Sequence, residues 1–141
     1  MAESTLGPMR LHHVGVVVAD LNAAIEQYRQ LGFGEPEEVV DVPDQGVRVA
    51  TFVAGPGYVE LMTPIAADTG VARFLEKRGD GLHHVAYGVA DVAAKLSDLE
   101  ARGVEIIDRV PRTGAHGWIV AFVHPRSGSG VLTELVQVAA D

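Results

Sequence analysis

Two histidine pairs, His12–His13 and His83–His84, and two acids, Glu60 in "YVELM" and Glu134 in "VLTELVQ", are the residues of this chain best suited to chemistry. Imidazole nitrogens and carboxylate oxygens together form a donor set for a divalent ion, and two carboxylates balance its charge. Such a set suits Co²⁺, Mn²⁺, Fe²⁺, Ni²⁺ or Zn²⁺ better than calcium. An ionised carboxylate on an apolar strand is costly unless a cation or a donor compensates it. Taken singly, each residue also has a plainer reading. A strand histidine is more often a hydrogen-bonded structural residue, and a strand glutamate more often an edge or rim charge.

The placement of these groups follows a duplication. Shifted by 71 positions, Leu11 to Gly32 falls on Leu82 to Gly103, and nine of the 22 paired residues are identical. Each copy opens with a strand-like run, "VGVVV" or "VAYGV", rich in β-branched residues. Asp20 and Asp91 suit helix N-caps, and Gly32 and Gly103 suit helix ends. Between them, Leu21, Ala24, Ile25, Tyr28 and Leu31 recur at helical spacing, as do Val92, Leu96 and Leu99. Further strands are expected in "EEVVDV", "VRVATFV" and "YVELM", and then in "VEIIDRV", "WIVAFV" and "VLTELVQV". "AGPG" and "HPRSGSG" mark the hairpins.

The fold class expected is therefore α+β: two tandem β-α-β-β-β modules, residues 10–64 and 81–137, in a single domain of residues 10–137. Residues 65–80 form a short helical connector, capped by Asp68 and ended by Gly79. Because side chains alternate along a strand, one histidine of each pair faces a given side. His13 shares its face with Gly15 and Val17, and His84 with Ala86 and Gly88. His12 and His83 lie with bulky Val14, Val16, Val85 and Tyr87, the side expected to pack on the helices. His13 and His84 are therefore the candidate ligands, joined by Glu60 and Glu134 at matching places in the two copies.

Composition narrows the function classes. A net charge of −8 disfavours nucleic acid, and no apolar run is long enough to cross a bilayer. Without cysteine there is neither a disulfide frame nor a thiolate nucleophile. "MAESTLGPMR" lacks the basic-then-apolar layout of a signal peptide, and a cytoplasmic setting is expected.

At these residues the chain resembles the vicinal oxygen chelate superfamily, whose fold is called glyoxalase-like, and within it the methylmalonyl-CoA epimerase branch. The resemblance is carried by "HHVGVVVADLNAAIEQY", "DQGVRVATF", "VELMTP", "VARFLEKRGDGLHHVAYGVADV", "GAHGWIVAFVHP" and "GVLTELVQ". It implies curved mixed sheets cupping a metal site, a homodimer, an acyl-CoA substrate and one divalent ion per subunit, Co²⁺ or Mn²⁺ before Zn²⁺, Ni²⁺ or Fe²⁺. The implied ligands fall on His13, Glu60, His84 and Glu134, with Glu134 as the catalytic base. Some relatives carry a second glutamate where this chain has Val49, and valine carries no proton. Glu60, His116 or a water at the ion are then the alternatives for the opposite face.

"RTGAHGW" reads as a glycine-hinged loop able to approach an anion, or as a plain hairpin connection. Arg73, Lys77, Arg78, Arg112 and Arg126 are candidates for the phosphates of CoA, although each alone reads as a solvated surface charge. Other functions open to this scaffold are a lactoylglutathione lyase-type isomerase, an extradiol dioxygenase and a drug-sequestering protein of the bleomycin-resistance type. Glu60 is a surplus ligand for the second, and the quartet argues against the third.

Overall fold

Parallel pairing of the first and last strand of each repeat sets the architecture seen in the computed structural model, which describes residues 8–138. The segment read for signal-peptide character lies outside these residues as far as Gly7. The chain divides into two compact units, His13–His84 and Met1–His12 with Val85–Asp141. The boundaries fall inside the opening strands β1 (Arg10–Val17) and β5 (Gly81–Val89).

In the His13–His84 unit, β1 leads into helix α1 (Leu21–Leu31), then β2 (Glu38–Val42), β3 (Val47–Ala54) and β4 (Gly57–Pro64). β4 lies parallel to β1, while β3 pairs antiparallel with both β4 and β2, giving the order β2-β3-β4-β1. Asp20 caps α1 by accepting from the Ala23 amide, and Gly32 ends it at φ 105°, a conformation that glycine adopts without steric cost. Leu21, Ala24 and Ile25 bury against Ala50, Phe52 and Leu61, with Val16, Tyr28, Phe33 and Val59 alongside. Leu31, at the edge of that stripe in the final turn, is exposed instead. The two-residue turn at Gly55–Pro56 joins β3 to β4, with Gly55 at φ 59°.

The connector contains α2 (Gly70–Arg78), ended by Gly79. Its cap is Thr69, whose hydroxyl accepts from the Ala72 amide, and not Asp68 as the sequence suggested. Asp68 sits at φ 61°, outside the extended geometry of an N-cap.

The second unit repeats the plan with β5, α3 (Val92–Ala101), β6 (Arg112–Thr113), β7 (Ile119–Val123) and β8 (Thr133–Gln137), in the order β5-β8-β7-β6. Asp91 caps α3 through the Ala94 amide; Arg102 is the C-terminal cap, and Gly103, at φ 78°, comes directly after it. Val92 and Leu96 pack on Val89, Ala121, Val123 and Leu135. Here the copies differ, because "VEIIDRV" forms no strand beyond a single bridge from Ile106 to Val123. Two successive amides, of Ile107 and Asp108, converge on the Phe122 carbonyl, a bulge-like doubling that ends a ladder. The Asp108 carboxylate takes the Phe122 amide that a backbone carbonyl would have accepted. The third strand is left as two residues, Arg112 and Thr113. "HPRSGSG" closes with a 3₁₀ turn at Pro125–Gly128.

Candidate metal centre

Strand alternation and register bring the chemistry of the His13–His84 unit onto one face. Gly15 on β1 stands opposite Glu60 on β4, and Glu60 stands opposite Thr51 on β3. His13 and Val17 flank Gly15 on the same side, and all three are buried. The other side carries Val16, Val59, Phe52 and Ala50 against α1. The bulky face therefore packs on the helix, as the sequence implied, and the face with the small residue carries the imidazole and the acid.

His13 and His84 are each 2% exposed, with their Nε2 atoms 3.1 Å apart. Glu60, at 4%, brings Oε2 to 3.4 Å from His13 Nε2. Gly15 makes this convergence possible, because a Cβ built there would lie 2.2 Å from Cε1 of His84 and 2.6 Å from its Nδ1. The His84 ring thus lies across the bare backbone of residue 15.

In the other unit, Glu134 on β8 stands opposite Ala86 on β5 and Phe122 on β7, and it too is 4% exposed. Each acid therefore neighbours the residue two places after a histidine: Gly15 after His13 for Glu60, Ala86 after His84 for Glu134. Within the His13–His84 unit, His13, His84 and Glu60 form a buried group of nitrogen and oxygen donors.

Donor spacing tests whether such an ion fits. Two donors each ~2.1 Å from one ion, and ~90–110° apart around it, lie roughly 3.0–3.4 Å from each other. The His13–His84 and His13–Glu60 separations, 3.1 and 3.4 Å, match that requirement. A mixed nitrogen and oxygen set accords with a borderline divalent ion.

The four arginines among the remaining sequence candidates have local partners. Arg73 donates to the Asp68 carbonyl, Arg78 lies over the Phe74 ring, Arg112 lies near Asp108 and over Phe122, and Arg126 pairs loosely with Glu105. Lys77 is exposed in the last turn of α2. His116 sits in the 3₁₀ turn Ala115–Gly117 at φ 58°, half-buried, with its ring 4.6 Å from that of Trp118. Val49 is 1% exposed and stands opposite Met62 and Val40, on the same face as Thr51. Strand alternation places His83 on the packing side and gives no sign of a second contact. His83 contacts Phe74 and also brings Nδ1 to 2.9 Å from Nδ1 of His84.

Residues 12–122 match the family model described as the Glyoxalase/Bleomycin resistance protein/Dioxygenase superfamily. The chain belongs to that superfamily. Among its relatives is the ethylmalonyl-CoA/methylmalonyl-CoA epimerase of Cereibacter sphaeroides, 39% identical over 131 residues that cover 92% of this chain and 98% of that protein. The mitochondrial methylmalonyl-CoA epimerase of Mus musculus is 37% identical, over 91% of this chain and 72% of that protein. Among solved structures, methylmalonyl-CoA epimerase from Mycobacterium tuberculosis superposes with a TM-score of 0.87 at 34% identity, over 99% of this chain and 94% of that one. A methylmalonyl-CoA epimerase in complex with methylmalonyl-CoA and NH4+ gives 0.86 at 37% identity, over 95% and 97% of the two chains. Coverage this complete extends the likeness over both repeats, including the glyoxalase-like α+β fold.

Proposed function

We propose that the chain is a metal-dependent methylmalonyl-CoA epimerase, an isomerase that interconverts (2R)- and (2S)-methylmalonyl-CoA. The observation that carries the reading is the buried His13–His84–Glu60 convergence at metal-ligand spacing, in a chain 37–39% identical to proteins bearing that name. His13, Glu60, His84 and Glu134 are the four ligands in this reading. Glu134 is included because its register beside Ala86 repeats that of Glu60 beside Gly15.

The C2 hydrogen of the substrate lies between a thioester and a carboxylate, so its loss leaves an enolate. A bound divalent ion supplies Lewis-acid stabilisation for the charge developing on the thioester oxygen. Glu134 takes the C2 proton on its carboxylate from one face, and a proton returned from the other face inverts the centre. Burial of the acids and imidazoles keeps bulk water from their donor atoms and strengthens their electrostatic action. Val49 cannot serve the opposite face, which leaves Glu60 and His116 as groups of this chain able to carry that proton. Co²⁺ or Mn²⁺ is the ion favoured, and the reading includes a homodimer in a cytoplasmic setting. Among the described residues no helix is long and apolar enough to cross a membrane.

Incubation with (2R)- or (2S)-methylmalonyl-CoA in D₂O, with and without chelator, tests the proposal. Metal-dependent deuterium entry at C2, with loss of stereochemical purity, is expected. Absence of exchange with added Co²⁺ or Mn²⁺ overturns the assignment. His84→Ala is expected to abolish both ion retention and exchange, and retained turnover removes His84 from the site.

A further inference from the structure

The His84 ring has a contact at each nitrogen. Its Nε2 faces His13 at 3.1 Å, and its Nδ1 faces Nδ1 of the adjacent His83 at 2.9 Å. Neighbouring strand residues normally point to opposite sides, so a ring-to-ring hydrogen bond between them requires His83 to turn back toward its neighbour. Phe74 of α2 holds it there, with ring centroids 5.0 Å apart at 77°. Arg78 lies over the Phe74 ring, extending the stack to the end of the helix.

Tautomer logic gives this contact a direction. To offer a lone pair to an ion from Nε2, neutral His84 must carry its proton on Nδ1. That N–H can donate to His83 Nδ1, which lies at hydrogen-bond distance and, as acceptor, keeps its own proton on Nε2. We propose that His83 is the positioning residue of the metal centre, fixing the tautomer and rotation of His84 so that Nε2 stays turned toward the ion. The inference rests on the metal-dependent reading above. It assigns a ligand-orienting role to a residue that acts through the His84 ring. Groups in this position raise the basicity of a ligating imidazole and fix its plane, and their loss typically weakens metal binding by about 10–100-fold. The Phe74 contact accounts for half-burial of a polar ring at the foot of α2.

The test is titration of the full-length protein with Co²⁺, followed by its visible absorption bands in competition with a chelator. His83→Phe keeps an aromatic ring against Phe74 but removes the acceptor. It should lose roughly 10–100-fold in Co²⁺ affinity and show shifted bands. His83→Asn places an oxygen near the former Nδ1 and should recover most of the affinity and the parent spectrum. Should His83→Phe fail to fold, judged by its thermal melt, His83→Leu supplies a second side chain without an acceptor. If the Phe or Leu variant binds Co²⁺ as tightly as the parent with an unchanged spectrum, the positioning role is wrong. Equal loss in the Asn and Phe variants likewise overturns it, because shape alone would then explain the effect. If the parent protein binds no divalent ion, the underlying metal reading fails instead.

Discussion

A methyl group added at Gly15 is the smallest change that tests how His84 is held. In Gly15→Ala the new Cβ would start 2.2 Å from Cε1, 2.6 Å from Nδ1 and 2.7 Å from Nε2 of that ring. Non-bonded carbons rest about 3.5–4.0 Å apart, so ring and strand must separate by roughly 1.3 Å or more. The ring is not free to retreat, because its two nitrogens are engaged at 3.1 Å by His13 and 2.9 Å by His83. A shift of that size carries at least one of these contacts beyond hydrogen-bond range. Overpacking costs about 1–3 kcal/mol, and the lost hydrogen bond about 1 kcal/mol more. A loss of roughly 2–4 kcal/mol lowers the melting temperature by about 6–20 °C for a chain of this size. Displacing a ligand outright should weaken Co²⁺ binding by at least the ~100-fold seen when a ligand's orienting partner is lost. Scanning calorimetry and a chelator-competition titration read the two effects separately. Gly81→Ala is the control, since a Cβ there meets nothing within 4 Å and the backbone is unstrained. A Gly15→Ala protein that binds Co²⁺ within threefold of the parent and melts at the same temperature would refute the packing argument.

Two further outcomes follow from the same geometry. Glu134→Gln removes the proposed base while keeping a similar shape, and C2 deuterium exchange should fall by ~10²–10⁴-fold in a protein that still folds, with parental exchange rates ruling the base role out. Thr69→Ala should cost about 1 kcal/mol by denaturant melt through loss of the α2 cap, whereas Asp68→Gly, at φ 61°, should be neutral or stabilising; the reverse ranking returns the cap to Asp68.

Much of the site was legible because β-strand alternation has a period of two and the chain repeats its own pattern. His13 and Gly15 had to share a side, and a one-residue slip would have sent Val14 and Val16 away from α1. That constraint picked the inward histidine of each pair without knowledge of tertiary contacts. The same rule concealed His83, since alternation separates neighbours and says nothing of a ring swung back by Phe74. "VEIIDRV" misled for a related reason. Its β-branched residues have strand character, but the Asp108 side chain replaces a backbone acceptor and halts the ladder there. Asp68 and Thr69 are both good capping types one residue apart, and only backbone geometry separates them.

Val49 shows where duplication stops being informative about chemistry. The face of β3 that presents Thr51 opposite Glu60 presents Val49 opposite Met62, two residues nearer the start of the strand. At 1% and 3% exposure these side chains form a packed apolar patch beside the acid, where an added carboxylate would have to be desolvated. β3 therefore contributes shape and low polarity at this point, not a proton carrier. An epimerase built this way must move protons through groups outside that patch. The strand pairing offers Glu60 and Glu134 at equivalent positions in the two repeats, and their surroundings differ because Gly15 admits an imidazole where Ala86 carries a methyl. Small departures between the copies thus give two equivalently placed acids different neighbours, and the proposed division between ligand and base rests on that difference.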